Sequence, residues 1–361
     1  MVAINPRLRQ RSQQGFILAA TLWTLAIMFI VVGIFHSYVQ QKLQVGMQAK
    51  ANLQQRLDRH STGQTLLYLL ASSRMTRSGM TFTQQLDEAF ISDEGFLITD
   101  AVGDELTLDS TTYHGIGETR FAVQDLSGLV AINVPNPLDL AAIVDKYDPN
   151  PVVRTQLISR LQDYMDANDL VSLSGAERED YARQKLPLPT NDYLRSETEL
   201  FRVMGWGDWL NTHPQVDWQT WLSVRKDSVM NLNTMPKTLL MNYLGLTEEL
   251  TDQLVFERKT NPFRTVADFA LRTNLPMNLD EEKYRFFPSS ELRISLWNKG
   301  GGQAQVISLQ LTPNGLYGPW LVNYEYSVQR GNDNNEPLVL QQTRLFGHTL
   351  GDDRGRNQAA Q

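Results

Sequence analysis

The sequence predicts an α+β protein: a long N-terminal membrane helix packed on an antiparallel sheet, with a large all-α domain inserted into that sheet. Three observations carry the prediction. Gly15 to Phe35 reads GFILAATLWTLAIMFIVVGIF and contains no charge. Runs with the two-residue alternation of strands lie on both sides of a long helical stretch. That helical stretch contains an internal repeat.

The chain has 361 residues, enough for two domains beyond a membrane segment. Hydrophobic residues make up 42% and charged residues 20%, the balance of a folded protein. The net charge is −7, and residues 1–15 carry three arginines and no acid, which leaves −10 for the rest. So acidic a chain is a poor general ligand for nucleic acid. With no cysteine, disulfides and thiolate metal sites are excluded. No GxSxG, HExxH or Walker sequence occurs, and His36, His60, His114, His213 and His348 are scattered without a ligand spacing. The expectation is therefore a protein that is not an enzyme.

A helix from Phe16 to Phe35 is about 30 Å long, and about 20 apolar residues suffice to cross a bilayer. His36-Ser37-Tyr38-Val39 follow and offer no small-x-small cleavage site, so the segment is expected to remain as an anchor. Arg7, Arg9 and Arg11 favour a cytoplasmic amino terminus, a bias that Lys42 and Lys50 on the far side reduce. Val39, Leu43 and Met47 then recur at four-residue spacing, as do Leu53 and Leu57, and Leu66 and Leu70. The expected stem helix is 16–75, with its transmembrane part at 16–36. Beyond the membrane it is either a separate surface helix or a continuation of the span. Gly46 and Gly63 each cost about 1 kcal/mol in a helix interior and mark places for a bend or break.

Residues 76–132 read as the first part of a β-domain, with strands at Glu94–Thr99, Glu105–Asp109 and Arg120–Gln124. Gly115–Glu118, GIGE, follows no clear buried strand and opens no helix, so it reads as a hairpin turn rather than a dinucleotide site. Residues 133–287 are helical and repeated. Ala131–Val144 matches Met230–Leu244: an Asn-containing extended piece, a Pro, then an apolar helix. Thr155–Asp169 matches Thr247–Asn261. Each copy then ends in a capped helix, through Ser196, Glu199 and Leu200 in one and Thr265, Asp268 and Phe269 in the other. This predicts two tandem modules, about 133–210 and 229–287, each around its own apolar cluster. Trp206, Trp209, Trp218 and Trp221 read as core, with a partner surface as the alternative. Strands return at Glu291–Trp297, Gln305–Leu311 and Val322–Arg330 within 288–348, with a last one at Pro337–Gly347. Residues 349–361 read as a disordered tail. One sheet interrupted by an insertion accounts for the order, since adjacent strands let the two ends of an insertion emerge together.

Two patterns in the helical region point to ligands. Asp163, Asp166, Asp169, Glu177, Glu179 and Asp180 form an acidic group in sequence, and oxygen ligands favour calcium. The alternative is solvated carboxylates capping helices. The modules are SAM-like or helix-hairpin-helix-like, and the second resembles a DNA-binding hairpin. Its turn, Leu244 to Glu249, has a single Gly and two acids where phosphates would approach, which favours packing over DNA.

The junction of a basic polar leader, Gly15 and the abrupt apolar run from Phe16 resembles the class III signal of type IV pilins and type II secretion pseudopilins. That resemblance implies cleavage between Gly15 and Phe16, N-methylation of Phe16 and a pilin-like fold. Pilin-like proteins usually carry Glu at the fifth mature position. This chain has Ala20 there, and the general secretion pathway protein K family, which it resembles, commonly lacks that Glu. Further local passages resemble that family: Asp163–Asp169 (DYMDAND), Gly175-Ala-Glu177-x-Glu179-Asp180-Tyr181, the Ser196–Met204 helix and Asn231-Leu-Asn-Thr-Met-Pro236. The resemblance implies a minor pseudopilin at the tip of the type II secretion pseudopilus that initiates and caps the fibre. Implied partners are the I and J minor pseudopilins, the major pseudopilin, the inner-membrane assembly platform and the prepilin peptidase. It also implies a single-pass inner-membrane protein with periplasmic C-terminal domains, and Ca2+ in the inserted domain. No nucleic acid is expected. A minor pilin of a type IV pilus and a membrane-tethered DNA-binding protein are the alternatives.

Overall fold

The computed structural model describes residues 14–83, 89–91, 97–275, 281–330 and 346. The leader arginines, the beginning of Glu94–Thr99, nearly all of Pro337–Gly347 and the tail lie outside the described residues.

Helix α1 (Gln14–Ser72) is one uninterrupted helix of 59 residues, through both Gly46 and Gly63. The chain divides at Leu57 into two units, and each is taken by itself. In the first, the apolar run from Ile17 to Phe35 is exposed throughout. Thr21 Oγ1 donates to the Leu18 carbonyl and Thr24 Oγ1 to the Thr21 carbonyl, both at 2.9 Å. The hydroxyls of these two threonines are thus satisfied inside the helix, as a hydrocarbon surround requires.

The second unit begins at Asp58 with the last turns of α1, whose Leu66, Leu67 and Leu70 are buried. The helix ends at Ser72, three residues before the expected boundary, because Arg74 already begins a strand. Five short strands follow: β1 (Arg74–Thr76), β2 (Gly79–Thr81), β3 (Ala89–Ile91), β4 (Leu97–Thr99) and β5 (Leu106–Thr107). They form a first sheet in the order β3-β4-β1-β2-β5, antiparallel except for β1 with β4. The chain then changes sheets. Strand β6 (Asp109–His114) opens with Ser110 at φ 65° and an irregular register to β7 (Thr119–Asp125), which turns it out of the line of β5. The single expected strand Glu105–Asp109 is therefore divided between two sheets, and the single expected sheet is two. Gly115–Glu118 is the β6–β7 hairpin turn, closed by the Gly115 N–H on the Thr119 carbonyl at 2.8 Å.

The chain leaves the sheet after Asp125. The insertion begins with β8 (Val130–Ala131), α2 (Leu138–Tyr147), α3 (Pro151–Met165), α4 (Arg178–Arg183), a 3₁₀ turn at Glu197–Arg202, α5 (Trp206–Thr212), α6 (Trp218–Trp221) and β9 (Leu222–Ser223). It continues with β10 (Met230–Asn231), α7 (Lys237–Asn242), α8 (Glu248–Glu257), α9 (Val266–Thr273) and β11 (Tyr284–Arg285). The chain returns as β12 (Glu291–Asn298), then β13 (Gly302–Leu311) and β14 (Trp320–Arg330). The second sheet is fully antiparallel in the order β14-β13-β12-β7-β6. Leu292 lies opposite Asp125, so the ends of the insertion emerge from adjacent strands.

Both sheets share one core with the end of α1, built on Leu66, Leu70, Met80, Phe121 and Ile294. Gly63 allows the close approach, since a Cβ there would lie 3.0 Å from Leu296 Cδ1. The two modules are closed in the same way, β8 by a parallel β9 and β10 by a parallel β11. Their apolar residues form one continuous cluster, from Leu126 through Trp206 to Phe269 and Tyr284, instead of the two expected. Trp206, Trp209 and Trp221 are buried in this cluster and Trp218 packs against it.

Candidate functional site

The insertion is joined to the sheet by buried polar contacts. Asp125, with no exposure, sits at the exit from β7. Its Oδ1 accepts from the Ser127 N–H at 3.0 Å, the Ser289 N–H at 3.1 Å and the Ser289 hydroxyl at 2.7 Å. Its Oδ2 accepts from the Ser127 hydroxyl at 2.6 Å, Asn231 Nδ2 at 3.0 Å and Thr234 Oγ1 at 2.7 Å. One carboxylate thus ties the outgoing strand, the returning strand and the second module together. Two ion pairs flank it. Arg258 Nη2 donates to Asp109 Oδ2 at 2.7 Å, while its Nη1 donates to the Leu232 and Met235 carbonyls. Arg293 of β12 donates to Glu197 Oε1 at 3.3 Å, and the Tyr324 hydroxyl of β14 donates to the same oxygen at 2.6 Å. All four charged partners are buried. Burial alone raises the Asp109 carboxyl, but Arg258 and hydrogen bonds from Thr111, Arg258 and Thr107 outweigh it and hold the carboxyl below its usual value. Burial, followed by the Glu197 charge, pushes both tyrosine hydroxyls, Tyr324 and Tyr326, well above theirs.

The six acids singled out in the sequence separate into two groups. Asp163, at the end of α3, Asp166, its C-cap, and Glu177, the N-cap of α4, bring carboxylate oxygens within 4.8 Å of one another. Asp169 is exposed and accepts from Asn191 Nδ2 at 3.2 Å. Glu179 is exposed in the first turn of α4. Asp180 is occupied locally, accepting the Glu177 N–H at 3.2 Å and pairing with Arg183 at 3.3 Å. Capping positions hold Asp166 and Glu177 as well as Asp180, and Asp163, Asp166 and Glu177 are the acids that converge.

That cluster fits a hard cation. Asp163 Oδ1 and both Glu177 carboxylate oxygens are buried without a hydrogen-bond partner. Burial first, then the charges of Asp163, Asp166 and Asp169, push the Glu177 carboxyl up to about 7. Orphaned oxygens and mutual repulsion are what a bound cation relieves, and an all-oxygen donor set suits calcium. Gly175 lies across the cluster: a Cβ there would come within 1.9 Å of Asp163 Oδ2.

Gly15 and Phe16 are the second and third residues of α1, so the candidate processing junction lies two residues inside the described helix. The α7–α8 turn has Gly245 at φ 74°, and Glu248 and Asp252 at the start of α8 both pair with Lys237. One lysine against two acids leaves this group net negative, an arrangement unlike a phosphate cradle. Sequence reasoning missed Asp125, Asp109–Arg258 and Glu197–Arg293. The pairs lie 149 and 96 residues apart, and nothing local marks them. Asp125 ends β7, all of whose residues are buried, which the polar Thr119, Arg120 and Gln124 of that strand do not disclose in sequence.

One helix among the described residues is long and apolar enough at its N-terminal end to cross a membrane, and two sheets pack on its last turns. Residues 124–210 match the family model for type II secretion system (T2SS), protein K. Among solved structures, the chain is similar to one in the GspK–GspI–GspJ complex of the type 2 secretion system of enterotoxigenic Escherichia coli. The TM-score is 0.50 at 15% identity, over 79% of this chain and 99% of that one, a likeness of fold. No curated protein sequence matches. The family match lies within β7 and the first module of the insertion, and the structural match extends the likeness of fold to most of the chain.

Proposed function

We propose that this chain is the tip subunit of a type II secretion pseudopilus, assembling with the I and J minor pseudopilins to initiate and cap the fibre that drives export across the outer membrane. The carrying observation is the junction of insertion and sheet. Asp125 accepts six hydrogen bonds there, and two buried ion pairs flank it, so the insertion is held as a fixed body rather than tethered by a linker. A fixed body of this size on the end of the sheet blocks the addition of another subunit. Ala20 supports the same reading. A carboxylate at that depth needs a partner from a subunit above it, and an unpaired charge in lipid is costly. A subunit with nothing above does better without one.

In this reading the apolar part of α1 lies in the inner membrane with a cytoplasmic amino terminus. The prepilin peptidase cleaves between Gly15 and Phe16, and Phe16 is methylated. The assembly platform then passes the subunit to the major pseudopilin, and the periplasmic domains lead. Calcium is held by Asp163, Asp166 and Glu177, with Asp169 adding charge nearby. When bound, it offsets two of the cluster's three negative charges and joins the end of α3 to the start of α4.

Co-expression with the I and J proteins, followed by affinity capture of the full chain in detergent, tests the reading. Recovery of all three in equal amounts is expected. An I–J complex that forms fully and leaves this chain behind would overturn it.

A further inference from the structure

We propose that the carboxylate cluster acts as a clasp that sets how firmly the first module is seated on the sheet, with Tyr164 and Tyr181 as positioning residues. The inference rests on the reading of the cluster as a calcium site. The cluster joins two helix ends that a loop of twelve residues otherwise separates, Met165 of α3 and Arg178 of α4. Each end carries a buried tyrosine beside the acids: Tyr164 follows Asp163, and Tyr181 lies one turn after Glu177. Both reach the same short segment. The Tyr164 hydroxyl donates to Glu199 Oε1 at 3.2 Å, and the Tyr181 hydroxyl accepts the Met204 N–H at 2.9 Å. The first contact falls within the 3₁₀ turn Glu197–Arg202 and the second lies two residues past its end. Glu197, in that turn, takes the buried contacts from Arg293 and Tyr324 of the sheet.

The turn is thus held at one side by the sheet and at the other by two helix ends. Without a cation, three acids with oxygens within 4.8 Å of one another repel, and their orphaned oxygens gain from water. The ends of α3 and α4 then separate, and the tyrosine contacts on the turn weaken with them. The second module has a seat of its own, through Arg258–Asp109 and through Asn231 and Thr234 on Asp125. The clasp therefore acts on one module and spares the other.

Hydrogen exchange of the full chain in detergent, with calcium or with EGTA, tests this, with calorimetric calcium titration of the same samples. Calcium should slow exchange roughly tenfold at amides 198–204, a change of the size common for coupled sites, and leave 248–273 unchanged. Tyr181→Phe should still bind calcium but lose the calcium-dependent difference at 198–204. A merely structural role for that hydroxyl would lower protection equally in both conditions and keep the difference. Exchange at 248–273 reports whether the variant is folded, and the wild-type comparison stands without it. Calcium that binds and leaves 198–204 unchanged, or slows both modules alike, overturns the clasp while sparing the site. Absence of binding in the titration overturns both.

Discussion

Asp109 and Arg258 meet at 2.7 Å with both side chains buried, where a charge left alone is costly. Arg258→Met leaves the Asp109 carboxylate without its ion partner and should destabilise the protein by about 3–5 kcal/mol in urea denaturation. The acid limb has a definite sign. Asp109 is held below its ordinary value of 3.8, so its contribution is fully present above pH 3.8 and is lost as pH falls through the lower folded value. Wild type should therefore lose stability more steeply than Asp109→Asn below pH 3.8, and parallel acid limbs would remove this pair from the account. At this scale the sequence was partly legible. Acids crowded within Asp163–Asp180 announce themselves by spacing, although only three of the six converge, because Asp180 is consumed as a local cap. The ion pairs were not legible, since an Arg at a helix C-cap or in a strand does not say which distant carboxylate it meets.

At the scale of elements, the repeat is the best-read feature, and the structure supplies its chemistry. Asn133 Nδ2 donates to the carbonyls of Leu194 and Val224, and its Oδ1 accepts the Leu194 N–H. Asn233 does the same with Phe263 and Phe286. In each copy one Asn links the lead-in strand, the approach to a capped helix two residues before its N-cap, and the residue after the closing strand. The caps also correspond: Glu199 takes the Arg195 N–H, and Asp268 takes the Arg264 N–H. Asn133→Ala and Asn233→Ala each strand buried backbone groups, so each should cost about 1–3 kcal/mol in chemical denaturation, and the two costs should be similar. Markedly unequal losses would mean that only one copy depends on the bridge. The short strands were the least legible elements. Two- and three-residue strands such as β5 and β8 have no periodicity to read, and the change of sheet depends on Ser110, whose left-handed backbone no alternation rule anticipates.

At the scale of the whole molecule, sequence patterning conveyed the broad plan because each part answers to a solvent. The apolar run from Ile17 to Phe35 is exposed along its length, and it is the one helix among the described residues long and apolar enough to cross a membrane. Strands β7 and β12 lie side by side, as the insertion argument required. What composition could not convey was the unity of the insertion. Two modules that look autonomous in sequence share one core, so removing either should expose the cluster that runs from Leu126 to Tyr284. In the proposed reading, that unity lets the insertion act as one body. The most direct measurement is the position of the chain in an assembled pseudopilus, read by cryo-electron microscopy of fibres in which the inserted domain carries a fused label. One label at a single end of each fibre is the predicted result. Labels repeated along the shaft would contradict the account.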